Sequence, residues 1–125
     1  MSIEGVPPDG RPQDAPSAMI STSTAQLLHE HTGRGPTKAK TIISKDLVTI
    51  LLADTLTRAE RKLVDNDYTD QVLQLRHNHQ RIMRTELVAI VERQLKRKVI
   101  AFMSQNHIDP DLAVEVFVLE PTEAT

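Results

Sequence analysis

The chain has 125 residues, of which 39% are hydrophobic and 26% charged, with a net charge of −2. This is one domain's length with apolar content for one modest core, and its charge gives no overall attraction to a phosphate backbone. Cysteine is absent and aromatics are 2%, which excludes disulfides, thiolate metal sites and thiol nucleophiles and leaves few rings on which nucleic-acid bases could stack.

No apolar run approaches the roughly 20 residues of a membrane helix. The N-terminus has neither the basic start nor the apolar stretch of a secretory signal. Together with the absence of cysteine, which suits a reducing compartment, this gives the expectation of a cytoplasmic protein.

Residues 1–16 hold four of the seven prolines, with Gly5, Gly10, Asp9 and Asp14 among them. Such a segment buries too little apolar surface to offset its ordering entropy, so a disordered tail is expected there. A single domain is expected over 17–120 and a flexible end over 121–125. Ile20, Thr24, Leu27, Leu28 and His31 recur at helical spacing, predicting a helix over about 18–32 that Gly33 terminates. After the breaker cluster Gly33-Arg34-Gly35-Pro36, the runs Thr37–Ser44 and Leu47–Ala53 read as a β-hairpin. The second run is apolar on both faces, the pattern of a covered central strand.

Thr57-Arg58-Ala59-Glu60 has capping-box spacing and predicts a short helix over about 58–66 that buries Leu63 and Val64. From Thr69 to Lys96 there is no Gly or Pro. Val72, Leu75, His79, Ile82, Met83, Leu87, Ile90, Val91 and Gln94 recur there at steps of three and four, the pattern of one long helix. At 1.5 Å per residue it would run about 40 Å, longer than a compact domain of this size is wide. Its stripe Leu75, Ile82, Met83, Leu87 and Ile90 is therefore the interface candidate for a homodimer. Lys98–Ser104 and Ala113–Leu119 read as a second hairpin, with Val114, Val116 and Val118 alternating with Glu115 and Phe117. The order helix–hairpin–helix–helix–hairpin predicts an α+β fold with a four-stranded, mainly antiparallel sheet packed by helices on one face.

Few residues offer chemistry. Arg34, Gly35, Lys38 and Lys40 form an anion-binding candidate, since glycine admits a phosphate close to the backbone and the cations add charge. The loop runs from helix to strand, so it is no Walker loop, and a helix stop followed by a rigid turn explains the same residues. His107, Asp109 and Asp111 have metal-ligand chemistry, but Asn106-His107-Ile108-Asp109-Pro110-Asp111 is foremost a turn, and no metal or cofactor is expected. His29 and His31, like His77 and His79, are two apart and point to different sides of a helix, so neither pair chelates. Arg93, Lys96, Arg97 and Lys98 sit where they complement a helix C-terminus. No catalytic constellation stands out, and a non-enzymatic protein is expected.

Three blocks in order carry a resemblance: Gly33-Arg34-Gly35-Pro36-Thr37-Lys38-Ala39-Lys40-Thr41; Leu56-Thr57-Arg58-Ala59-Glu60-Arg61-Lys62-Leu63-Val64; and Asn106-His107-Ile108-Asp109-Pro110-Asp111 with Glu115-Val116-Phe117-Val118-Leu119-Glu120. Over about residues 18–120 the chain resembles the MpsC family of small bacterial proteins, named after a component of a sodium-translocating, membrane-potential-generating system. Where many members carry Gly between the long helix and the third strand, this chain has Arg97. The resemblance implies an accessory or regulatory role tied to a membrane cation or bicarbonate transport system, with a transport subunit as partner, and supplies no catalytic residues. The alternatives are a small-anion or nucleotide-phosphate sensor using Gly33–Lys40 and, against the charge balance, a nucleic-acid-binding module.

Overall fold

The computed structural model of the chain describes residues 15–122. Two helix–hairpin units follow one another with a short helix between: α1 (Ala15–Thr32), β1 (Lys38–Ser44), β2 (Leu47–Ala53), α2 (Arg58–Asp65), α3 (Thr69–Leu95), β3 (Val99–His107) and β4 (Leu112–Leu119). The strands form one antiparallel sheet in the order β1-β2-β4-β3. The fold is the expected α+β class. Of the expected N-terminal tail, residues 1–14 lie outside the described residues, whereas Ala15 and Pro16 open α1. Proline is tolerated in a first turn, whose N–H groups have no intrahelical partner.

The inner face of the sheet builds the core. Val48, Ile50 and Leu52 of β2 and Ala113, Phe117 and Leu119 of β4 pack against Ile20, Leu27 and Leu28 of α1 and Met83, Leu87, Ile90 and Val91 of α3. At β1 the packing turns polar, with the Ser21 hydroxyl 2.8 Å from that of Thr41. The inner Phe102 and Phe117 rings meet across β3 and β4, with centroids 5.1 Å apart and planes tilted by 48°.

Local signals set the element ends. Gly33 has φ 79° and donates its N–H to the His29 carbonyl at 2.8 Å, the left-handed stop expected of it. Thr57 and Glu60 make both bonds of the capping box: the Thr57 N–H donates to Glu60 Oε1 at 2.8 Å, and the Glu60 N–H donates to Thr57 Oγ1 at 3.1 Å. The helix so capped buries Glu60 and leaves Leu63 exposed, a departure from the apolar contact expected at Leu63 and Val64. The α2 helix lies against the polar N-terminal part of α3, where a carboxylate finds a partner and a leucine does not.

The long helix is unbroken over 27 residues. Its stop is made by Lys96, which takes φ 56° and ψ 39° and donates its N–H to Glu92 at 2.8 Å. Arg97 follows as a strut, donating to the Lys45 carbonyl at 3.0 Å, to Asp46 Oδ1 at 2.5 Å and to the Glu120 carbonyl at 2.8 Å. The turn is thus formed without glycine, at the cost of a lysine in left-handed backbone. Lys96→Gly is expected to raise stability by about 1 kcal/mol, a gain of a few degrees in thermal unfolding. A lower melting temperature would show that the Lys96 side chain contributes more than its backbone strain removes.

Candidate functional site

The structure divides the residues singled out in the sequence. Arg34 turns back on its own scaffold: its Nε donates to the Asp54 carbonyl at 2.9 Å. The Thr37 hydroxyl donates to the Asp54 carboxylate, so a negative group already stands in the loop. Gly35 lies against His29, where an added Cβ would meet the histidine Cβ at 3.7 Å. Lys38 and Lys40 point away from the helices, on the outer face of β1. Arg34 is thus engaged with Asp54, while Lys38 and Lys40 stand on the edge strand of the outer face.

The β3–β4 turn behaves as a turn. His107 Nδ1 lies 2.8 Å from the Pro110 carbonyl, across a cis Asp109–Pro110 peptide. Asp111 is buried and faces the protein interior. One of its carboxylate oxygens accepts from the Thr55 N–H at 3.1 Å and the Thr55 hydroxyl at 3.3 Å; the other accepts from the Leu56 N–H at 3.0 Å and Arg61 Nη2 at 3.1 Å. His107 and Asp109 share no ligand geometry with it, and among the described residues no group of three or more His, Asp or Glu side chains could hold a metal.

Asp111 belongs instead to a buried polar cluster that the sequence reading missed. Arg76, 8% exposed, occupies the helix position where Leu75 was expected. It donates from Nη2 to Thr55 Oγ1 at 2.6 Å, from Nη1 to Glu60 Oε1 at 3.1 Å and from Nε to Asn106 Oδ1 at 3.0 Å. Asn106 and Gln80 join side chain to side chain through two bonds of 3.0 Å. Nearby, Glu115 is 1% exposed and accepts from the Ser104 hydroxyl. Burial pushes its carboxyl up to about 7 from an ordinary 4.5, against the opposing pull of Ser104 and Arg76. Thr55, Glu60, Arg76, His79, Gln80 and Glu115 share the walls of a small cavity of about 20 Å³, sized for a single water. Arg76 is paired with Glu60, and Asp111 with Arg61. The cluster ties the α2 and α3 helices to the β3–β4 turn.

The interface stripe divides likewise. Met83, Leu87 and Ile90 are buried in the protein's own core, while Leu75 and Ile82 remain in solvent. The helix's apolar stripe is largely used by the sheet beneath it, so it is not the principal unpartnered surface.

That surface is the other side of the sheet. The α1 and α3 helices cover one face, and the outward side chains of the other fall into four rows across the strands. Ser44, Leu47, Val118 and Ala101 share one row; Ile42, Thr49, Val116 and Met103 the next; Lys40, Leu51, Val114 and Gln105 the third; Lys38, Ala53, Leu112 and His107 the fourth. Leu51 is 41% exposed and Met103 52%. Only Lys38 and Lys40 carry fixed charge, both on an edge strand. The first two rows are almost wholly apolar, and polarity gathers in the last two. Monomeric domains seldom leave so continuous an aliphatic surface in water.

Residues 15–121 match the family model described as Na+-translocating membrane potential-generating system (MpsC). The chain belongs to the MpsC family. No curated protein and no solved structure matches it significantly. The family description names a membrane system, and the fold presents an open sheet face that is largely aliphatic; among the described residues no helix is long and apolar enough to cross a membrane.

Proposed function

We infer that this MpsC-family chain is a non-enzymatic accessory or regulatory component of a membrane cation or bicarbonate transport system, acting through protein contacts made by the open face of its sheet. The observation that carries this reading is the uncharged aliphatic centre of that face, formed by Leu47 and Leu51 of β2 and Val114, Val116 and Val118 of β4. The family description supplies the link to sodium translocation. A non-catalytic role is supported by the buried cluster, whose Arg76, Glu60 and Asp111 make internal bonds. In this reading the protein works from the cytoplasm beside the membrane.

Complementation tests it. Deleting the gene in its host is expected to lower the sodium-dependent membrane potential, and the unmutated gene to restore it. Leu51→Glu with Val116→Glu is expected to fail to restore it while remaining folded by circular dichroism. Arg34→Ala is expected to restore it, because Arg34 is bonded to the Asp54 carbonyl and stands outside the four rows of that face. The opposite pattern, with the face variant active and the loop variant inactive, would replace this reading with an anion sensor.

A further inference from the structure

We propose that the open face is occupied by the same face of a second copy, giving a two-fold, sheet-on-sheet homodimer. This rests on reading that face as a contact surface, and goes beyond it by naming the occupant. Four strands about 4.8 Å apart, each about seven residues long at 3.3 Å per residue, make a footprint of roughly 450 Å². With side chains interdigitating, each copy loses on the order of 600 Å² of accessible surface, where specific interfaces begin.

The pattern on the face is self-complementary in one arrangement. A two-fold axis parallel to the strands, between β2 and β4, lays β2 of one copy over β4 of the other. Each of the four rows then meets the same row of the partner. Leu47 and Leu51, the long side chains of β2, face the shorter valines Val118 and Val114 of β4, the large-against-small interdigitation that sheet packing at about 10 Å requires. The apolar rows meet each other. Lys38 and Lys40 go to the rim over the Gln105 and His107 edge of the partner, with the lysines of the two copies at opposite margins. An axis across the strands would instead set Lys40 over Ile42.

Sedimentation equilibrium over micromolar to high-micromolar concentrations tests this on the full chain. The unmutated protein is expected at twice its 14.0 kDa mass. Val116→Lys places two unpaired ammonium groups in one symmetric interface and is expected to raise the dimer dissociation constant by about a hundredfold or more. Ile82→Lys, on the exposed side of α3, is expected to leave it unchanged. If Val116→Lys loses its circular dichroism spectrum, Thr49→Lys replaces it, with the same expectation. A monomer throughout, or dimer loss from Ile82→Lys in place of the face variants, would overturn the proposal. A monomeric protein whose face variants still fail in complementation would end the dimer and leave the contact surface standing. Face variants that lose the dimer yet complement fully would end the proposed role of the face and leave the dimer standing.

Discussion

Replacing Arg76 with Met is expected to destabilise the protein by about 3–5 kcal/mol, the cost of removing one partner from a buried ion pair. The guanidinium joins three parts of the chain: Glu60 at the start of α2, Thr55 in the segment before it, and Asn106 at the end of β3. Without it the Glu60 carboxylate, 6% exposed, keeps only its capping bond from the Thr57 N–H, and the Thr55 and Asn106 oxygens lose a charged donor. Methionine fills much of the volume, so the loss reports charge and hydrogen bonding rather than a cavity. Adding Glu60→Gln to Arg76→Met is expected to recover at least about 1 kcal/mol, because the double variant no longer buries an unpaired charge. Urea unfolding of the four proteins measures the cycle. A loss below about 1 kcal/mol for Arg76→Met alone would mean that the cluster is not a structural joint and that its acids are free for other chemistry.

The second large effect is a dependence of stability on pH centred on Glu115. Burial raises its carboxyl to about 7 in the folded protein, against 4.5 ordinarily. Desolvation is the cause, and it outweighs the Ser104 hydrogen bond and the Arg76 charge, both of which favour the ionised form. The folded state therefore holds a proton that the unfolded state releases more readily. Below about pH 4.5 both states are protonated and the stabilisation is fully present. It falls as pH rises through 7, and it is gone above. The interval corresponds to roughly 3 kcal/mol at 1.36 kcal/mol per pH unit. Glu115→Gln keeps the neutral shape and loses the titration. Its stability is expected to equal that of the unmutated protein near pH 4 and to exceed it near pH 8 by an amount approaching that figure. Thermal unfolding of both proteins across this range checks it. A constant offset at every pH would mean that Glu115 titrates alike in both states, and a relative loss for the variant at pH 8 would mean that the ionised carboxylate stabilises the fold.

Much of the fold was legible in the residues because local chemistry and global packing agree. Gly33 stops α1, the Thr57–Glu60 box starts α2, the stretch without Gly or Pro becomes α3, and both hairpins form. The strand ends were short by up to three residues at β3, since Gln105, Asn106 and His107 are polar yet pair with Val114, Ala113 and Leu112. Two features were not legible, each for a physical reason. On α3 helical spacing places Leu75 and His79 on the stripe, but Arg76 and Gln80 are buried. Helical spacing gives the period of a buried face and is silent about what it meets; at this end it meets acids and amides, not the aliphatic sheet. On β4 the alternation of valines with Glu115 and Phe117 marks two unequal faces, and ordinary expectation turns valine inward. The reverse occurs. Phe117 is needed against Phe102 and the helices, and strand parity carries Glu115 inward with it, toward Ser104. A clue was present in β2: a run apolar on both faces, in a chain with helices for only one, leaves aliphatic surface over. Leu47 and Leu51 are that surplus.

Methyl NMR on dilution tests the central claim most directly, because it reads both candidate surfaces at once. With isoleucine, leucine, valine and methionine methyls labelled, lowering the concentration from high to low micromolar is expected to shift Leu51, Val114, Val116 and Met103 on the open face and to leave Leu75 and Ile82 on α3 unmoved. Shifts confined to Leu75 and Ile82 would contradict the account and return the contact to the helix.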